Sequence, residues 1–239
     1  MCYTFAAVYS SITYEVTMDT VILILEILGT VAFALSGAMV AIKRGMDIFG
    51  VAILGLTTAC GGGIIRDLLL GKTPPAAFVN PVFGIVAIVT AIIVFLPSVR
   101  RIFLHHPKIY DRASLTLDSI GLGLFTVIGV QTAHHATEGF NIFFYLFLGV
   151  ITGVGGGVMR DVMSKNIPYI FIKHIYATAS LIGAGVMTVF LAFDLELLGV
   201  ILGSATVIVL RLLAARFRWS LPKAHELTEE ELHRESVKK

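Results

Sequence analysis

Long apolar stretches, separated by short polar segments, dominate the pattern along the chain. A helix needs roughly 20 mostly apolar residues to cross about 30 Å of hydrocarbon. By that measure the sequence predicts an all-α membrane protein with seven transmembrane helices. The seven predicted spans are residues 21–42, 48–70, 82–99, 115–136, 141–164, 172–193 and 196–213.

The second and fifth predicted spans carry nearly the same polar motif inside apolar surroundings. Residues 61–67 read GGGIIRD, and residues 155–161 read GGGVMRD. The match extends to residues 25–37 and 117–129, where an acidic residue, two glycines and a phenylalanine coincide. The pattern indicates an internal duplication. Because each copy has three spans, we expect a 3 + 3 inverted repeat, with the seventh helix outside it.

Each glycine triplet is followed by a proline, Pro74 in the first copy and Pro168 in the second. Consecutive glycines loosen a helix, and proline bends or breaks one. We therefore expect the second and fifth spans to be kinked at the triplets. Broken helices at the interface of inverted repeats commonly line a solute path. The candidate pore and kink residues are Gly61, Gly62, Gly63, Gly155, Gly156 and Gly157.

Charged side chains next to the triplets lie within predicted spans, where an arginine costs a few kcal/mol. Adjacent residues of a helix do not face each other, so we expect both arginines to find more distant partners. Matching depth and repeat position predict that Glu26 pairs with Arg66. In the second copy, the equivalent pair is Asp118 with Arg160. The candidate pore or gating charges are Arg66, Asp67, Arg160, Asp161, Glu26 and Asp118.

Basic residues set the expected orientation, because Lys and Arg stay on the cytoplasmic side of short loops. With the N-terminus outside and the C-terminus inside, 16 of the 18 Lys and Arg residues are cytoplasmic, seven of them at the C-terminal end. Only Arg66 and Lys72 are then outside. The expected organisation is an extracytoplasmic segment, two three-helix repeats, a seventh helix and a cytoplasmic charged tail, at residues 1–20, 21–99, 115–193, 196–213 and 214–239.

Composition excludes several classes of function. Charged residues make up 14% of the chain, against roughly 25% in soluble domains, and a net charge of +2 gives no basic patch for nucleic acid. The two cysteines have no metal-site spacing, and the two adjacent histidine pairs lie in predicted loops on opposite sides of the membrane. We therefore expect no enzyme activity, no cofactor and no nucleic-acid partner.

The repeated motif, the seven spans and the inverted repeat resemble the trimeric intracellular cation (TRIC) channels in their prokaryotic form, a group that includes proposed glycine transporters. The resemblance covers about residues 20–213. It implies a homotrimer in the plasma membrane, a pore in each subunit, kinks at the glycines, and permeation by K⁺ and less selectively Na⁺. Animal members carry Lys-Glu before the glycines of one repeat and bind phosphoinositide there. This chain has Ala59-Cys60 and Gly153-Val154, which does not match that lipid site.

Two functions fit these features. In a passive channel for monovalent cations, backbone carbonyls and hydroxyls replace part of the hydration shell of the ion. In a secondary carrier for a small zwitterion such as glycine, helix ends, arginine and aspartate hold its carboxylate and ammonium groups. A membrane scaffold is the third possibility, if the glycines and charges serve packing alone. The expected partners are further copies of the chain, the lipid bilayer and monovalent cations, and the candidate pore hydroxyls are Thr57, Thr58 and Thr152.

Overall fold

The computed structural model describes residues 2–172 and 175–219, and every regular element in this part of the chain is an α-helix. The helices are, in chain order, α1 (Cys2–Lys43), α2 (Ile48–Leu69), α3 (Ala76–Val79), α4 (Val82–Phe95), α5 (Pro97–His105), α6 (Pro107–Ala136), α7 (Ile142–Met163), α8 (Tyr169–Ile172), α9 (Ala177–Leu191) and α10 (Glu196–Phe217).

Five of the described helices are long and apolar enough to cross a membrane, namely α1 within Met18–Lys43, α2, α6, α7 and α10. The third and sixth predicted spans are shorter than expected, because α4 has 14 residues and α9 has 15. A helix of 14 residues is about 21 Å long, short of the roughly 30 Å of hydrocarbon. Each follows a four-residue helix, α3 or α8. In both halves, a four-residue helix and a turn therefore lie between the motif helix and this shorter helix.

The first and last spans are parts of longer helices than the hydropathy pattern predicts. Helix α1 has 42 residues and begins at Cys2, so no helix boundary separates residues 1–20 from the first span. Helix α10 continues past the expected end at residue 213 to Phe217. Most of the expected charged tail, residues 220–239, lies outside the described residues. The orientation across the bilayer stays a prediction.

Equivalent helices of the two halves pack in the same way. Helix α1 packs on α2 where Gly37 faces Thr58, and a Cβ on this glycine would lie 2.5 Å from the threonine Oγ1. In the second half, α6 packs on α7 where Gly129 faces Thr152, with a corresponding distance of 2.6 Å. The duplication predicted from the sequence is therefore also a repeat of helix–helix contacts.

The two glycine triplets meet each other where α2 crosses α7. A Cβ on Gly62 would overlap the carbonyl oxygen of Thr152, and a Cβ on Gly156 would overlap that of Thr58. A Cβ on Gly155 would lie 3.1 Å from the Cα of Gly62. The two backbones approach so closely that no side chain fits between them. Each half contributes one glycine and one threonine carbonyl group, at equivalent positions of the repeat, so the two sides of the crossing match.

Both helices continue without interruption through their triplets. Helix α2 is helical from Ile48 to Leu69, and α7 is helical from Ile142 to Met163. The glycines therefore do not break these helices. Close approach of the neighbouring backbone, rather than loosened helical geometry, accounts for them. A bend at the triplets stays a prediction.

Apolar side chains form a buried cluster within each half and another between the halves. The first joins α1, α2 and α4, and its counterpart joins α6, α7, α9 and α10. Between the halves, the rings of Phe33 and Phe125 lie 5.3 Å apart, in positions equivalent in the repeat. Each ring packs on a glycine of the other half, Phe33 on Gly121 and Phe125 on Gly29. The two halves thus share one core, through the same residues on both sides.

Replacing Gly156 by alanine should destabilise the protein, because the added methyl group overlaps a backbone oxygen that moves only if α2 and α7 separate. Overpacking of this kind costs about 1–3 kcal/mol. For a chain of this size, that loss lowers the thermal midpoint by roughly 3–10 °C. The measurement is the temperature at which the monodisperse gel-filtration peak in detergent is half lost.

Gly63→Ala is the matched control, because a Cβ on Gly63 meets nothing nearer than a terminal nitrogen of Arg66, 3.8 Å away. Alanine also favours the helix by up to about 1 kcal/mol over glycine. We expect this variant to keep the parent midpoint or to exceed it slightly. Equal midpoints for Gly156→Ala and Gly63→Ala would show that the close crossing contributes nothing.

Candidate functional site

The Arg-Asp pair of the first motif lies in the last turn of α2, where the basic side chain faces the negative end of the helix dipole. Arg66 Nε donates to Asp67 Oδ1 at 2.9 Å. The other carboxylate oxygen accepts a hydrogen bond from the backbone N–H of Ala76, the first residue of α3, at 2.9 Å. Asp67 therefore ties the end of α2 to the start of the short helix that follows.

The second motif makes the same joint. Arg160 Nε donates to Asp161 Oδ1 at 2.8 Å, and Asp161 Oδ2 accepts from the backbone N–H of Tyr169, the first residue of α8, at 3.0 Å. The prolines directly before these short helices are Pro75 and Pro168, so Pro75 rather than Pro74 is the structural counterpart of Pro168.

The expectation that each arginine finds a distant partner rather than the aspartate beside it is wrong for Arg66, and Arg160 pairs with its adjacent aspartate as well as with a distant one. Arg66 and Asp67 form an ion pair, and so do Arg160 and Asp161. The rule that adjacent helical residues do not face each other concerns the directions of their Cβ atoms. The guanidinium group of an arginine lies at the end of a long flexible side chain, so near the end of a helix it can reach the next residue. All four side chains are buried, so the Coulomb attraction within each pair is stronger than it would be in water.

The predicted pair of Asp118 with Arg160 is confirmed. Arg160 Nη1 donates to Asp118 Oδ1 at 2.7 Å and to the hydroxyl of Ser36 at 2.7 Å. Asp118 lies on α6 and Ser36 on α1, so Arg160 connects α7 to the first helix of each half. Asp118 is 0% exposed and Arg160 is 1% exposed. Water screens the attraction between these two charges very little.

Two residues that were not predicted from the sequence complete this network. Arg211 Nη2 donates to Asp118 Oδ2 at 3.3 Å, and the hydroxyl of Tyr176 donates to Asp118 Oδ1 at 3.3 Å. The Arg211 guanidinium also lies over the Tyr176 ring, 4.6 Å from its centroid. We call the side chains of Ser36, Asp118, Arg160, Tyr176 and Arg211 the Asp118 network.

Arg211 counts among the cytoplasmic basic residues at the C-terminal end in the orientation prediction, yet it is 3% exposed. It belongs to α10, the helix outside the repeat. The available signal was its position within an otherwise apolar helix, since a buried arginine there requires an anionic partner. The repeat comparison could not find it, because α10 has no counterpart.

The equivalent pair in the first half is not formed. Among the described residues no ion pair joins Glu26 to Arg66, although Arg66 is close enough to act on Glu26 electrostatically. Arg66 pairs with Asp67, and Glu26 is half-buried, whereas its counterpart Asp118 is fully buried among several donors. The predicted contact of Glu26 with Arg66 is therefore wrong.

The space beside the two motifs also differs. A Cβ on Gly157 would meet the hydroxyl oxygen of Tyr176 at 2.5 Å, whereas a Cβ on Gly63 has only Arg66 in reach, at 3.8 Å. Gly61 faces the Met159 sulfur across the crossing. The second-half motif is thus filled by the Asp118 network, and the first-half motif is more open.

The three candidate pore hydroxyls all bond within their own helices. Thr57, Thr58 and Thr152 each donate to the carbonyl oxygen four residues earlier, at 2.8, 2.6 and 2.6 Å. Thr58 and Thr152 are fully buried in helix–helix contacts, whereas Thr57 is half-buried. Their role as pore hydroxyls stays a prediction.

A cavity of about 1330 Å³ opens at the end of the protein that carries the Asp118 network. Its walls come from the C-terminal ends of α1 and α10, the N-terminal part of α6 and the segment after α7. Arg211 and Tyr169 lie on its wall, and they contact Asp118 and Asp161 respectively. The buried charges therefore lie directly beneath this cavity.

Comparisons with known proteins support one family. A family model described as glycine transporter matches residues 23–98 and 115–192, which are the two halves of the repeat. The inner membrane protein YadS of Escherichia coli strain K12, of the UPF0126 group, is 39% identical over 201 residues, covering 83% of this chain and 93% of YadS.

Solved structures have the same fold. A chain from the structures that describe conductance through TRIC cation channels is 38% identical, with a TM-score of 0.76, and the match covers 86% of this chain and 98% of that one. The chain belongs to the TRIC family. The TRIC orthologue from Rhodobacter sphaeroides is 33% identical with a TM-score of 0.76, and the match covers 84% of this chain and 100% of the orthologue. This TRIC protein is a multi-pass protein of the plasma membrane, in a family of channels and transporters rather than enzymes.

Replacing Asp118 by asparagine should destabilise this TRIC protein, because Arg211 loses its only carboxylate among the described contacts and Arg160 keeps only Asp161. Breaking a buried ion pair by removing one partner costs about 3–5 kcal/mol. The expected result is a clear drop in the thermal midpoint in detergent and a lower yield of folded protein.

Glu26→Gln is the control, because it makes the same chemical change at the equivalent position of the first half. Glu26 is half-buried and makes no ion pair with the described residues, so its midpoint should stay close to the parent value. Similar losses in both variants would mean that the two halves are energetically alike, against the asymmetry described here.

Proposed function

We propose that this protein is a channel for monovalent cations, K⁺ among them, that assembles as a trimer with one path in each subunit. The observation that carries the proposal is the match to a TRIC cation channel at 38% identity over 98% of that channel's chain. The Rhodobacter sphaeroides relative is itself described as a trimeric intracellular cation channel orthologue.

The proposed path starts at the first-half motif and passes the crossing of α2 and α7. It ends in the cavity beside the Asp118 network. Two features support this course. Charged side chains within the membrane-spanning part of a protein rarely face lipid. They usually face the interior of the protein and mark a solute pathway. The charges of both motifs also lie at the ends of the two helices that cross at the glycines.

The Asp118 network is the closed end of this path. Its carboxylate is fully buried, and the Tyr176 hydroxyl occupies the space beside Gly157. The matching space beside Gly63 in the first half is open by comparison. Opening then requires the Tyr176 side chain to leave Asp118 and Gly157, which exchanges a few hydrogen bonds rather than unfolding a helix.

Carriage of glycine is the second candidate function, and two observations favour it. The matching family model is described as glycine transporter. In addition, Arg160 Nη2 is buried and has no hydrogen-bond partner in the described structure. A guanidinium nitrogen of this kind is a good donor for the carboxylate of a small amino acid.

Purified protein in liposomes should release K⁺ down a concentration gradient faster than liposomes that contain an unrelated membrane protein. A channel lets ions follow their gradient, so labelled glycine should not accumulate by exchange against unlabelled glycine inside. The two measurements use the same preparation. Glycine counterflow without K⁺ release would replace the channel with the carrier.

Tyr176→Phe should raise the K⁺ flux, because it removes a hydrogen bond to Asp118 that only the closed end makes. A hydrogen bond contributes about 1 kcal/mol, which corresponds to roughly a fivefold shift of the closed–open equilibrium.

Tyr145→Phe is the matched control. Tyr145 is also fully buried, but its hydroxyl bonds to His134 and to the carbonyl oxygen of Gly139, away from the Asp118 network. Its flux should equal the parent flux. A parent-like flux in a stably folded Tyr176→Phe protein would contradict the closed-end assignment.

A further inference from the structure

The wall of the cavity beside the Asp118 network is strongly basic. The exposed side chains of Lys43, Arg44, Lys165 and Arg218 line it, against the single exposed acid Asp111 in the described wall. Arg211 lines it too, but Asp118 neutralises its charge. A net charge of about +3 thus surrounds this mouth, which is an unexpected lining for a path that carries cations.

Two of these basic residues hold a backbone conformation that favours glycine. Lys165 has φ of 55° and Arg218 has φ of 53°, both in the left-handed region. At the position equivalent to Lys165, the first half has Gly71, with φ of 69°. Side chains other than glycine and asparagine are disfavoured in this region. The positive charge at the cavity is therefore present despite a local conformational cost.

The opposite end of the molecule carries acidic side chains. It is formed by the end of α6, the start of α7 and the segment between α9 and α10. Glu138, Asp194 and Glu196 lie there, with Asp19 and Glu26 on the early part of α1. Among the described residues, the basic side chain that accompanies them outside the buried motif is Lys72. The two ends of the molecule therefore differ in the sign of their charge.

We propose that this difference in charge makes the channel conduct K⁺ unequally in the two directions, with larger currents toward the cavity than away from it. The inference rests on the proposed channel function. Fixed charge near a mouth sets the local concentration of the ions that enter there, so the basic cavity depletes K⁺ relative to the acidic opposite end of the molecule. Ions that start on the acidic side therefore enter more often.

Coulomb's law sets the expected size of the effect. If three net positive charges are taken to lie about 8 Å from a permeating ion and are screened by roughly 0.1 M salt, they lower the local K⁺ concentration about threefold. At about 1 M salt the Debye length falls to about 3 Å, and the effect disappears. A difference that arose from a moving gate would not follow ionic strength in this way.

Inside-out membrane patches from giant bacterial spheroplasts provide the test, because the protein keeps its native orientation in them. With equal KCl on both sides, current is measured at equal and opposite voltages. Under the predicted orientation the cavity faces the cytoplasm. We expect inward K⁺ current to exceed outward current about threefold at roughly 0.1 M KCl, and the two to be nearly equal at roughly 1 M.

The decisive variant combines Lys43→Gln, Lys165→Asn and Arg218→Asn. Asparagine tolerates the left-handed backbone at the last two positions. We expect this variant to at least halve the current ratio at low salt by raising the outward current. The matched control combines Arg101→Gln, Lys108→Gln and Arg112→Gln, which removes the same charge from exposed residues that do not line the cavity. Its ratio should equal that of the parent.

Four results would overturn the inference. Equal inward and outward currents in the parent at low salt, or the same ratio in the parent and the cavity variant, would show that the cavity charge does not act on permeating ions. An equal fall in the control variant would assign the effect to the general charge of that side. Absence of any K⁺ current from correctly inserted parent protein would instead remove the channel function itself, and this inference with it.

Discussion

The close crossing of α2 and α7 is the contact on which the rest of the structure depends. Gly62 and Gly156 let each helix approach the carbonyl groups of the other, where any side chain would intrude. Two helices held this closely cannot slide or rotate independently. The crossing thus sets the depth at which each helix ends, and with it the positions of both Arg-Asp pairs and of the short helices that the aspartates hold.

The glycines, aspartates and arginines of the repeated motif have different structural roles. The glycines serve the crossing, and each aspartate joins its helix to the next one through a backbone N–H. The arginines differ between the halves. Arg66 pairs with Asp67, whereas Arg160 adds Asp118 and Ser36 to the same kind of pair. One motif, copied once, therefore supports a simple structural joint in one half and a buried charge network in the other.

The sequence predicted best those features that follow from the hydropathy and self-similarity of the whole repeat. Hydropathy and self-similarity predicted the apolar helices, the duplication and the pairing of Asp118 with Arg160. Two features depend on tertiary context that no local pattern contains. The short helix that each aspartate holds after its motif was not predicted, and neither was the separation of Glu26 from Arg66.

Arg211 has a consequence for the energy balance of the whole fold. Two identical three-helix units, inserted in opposite directions, would have ends of equal energy by symmetry, and neither end would be preferred as the resting closed side. Helix α10 lies outside the duplication, and its arginine reaches the carboxylate of one unit only. The added helix therefore contributes to an energetic difference between the two ends that exact duplication would not produce.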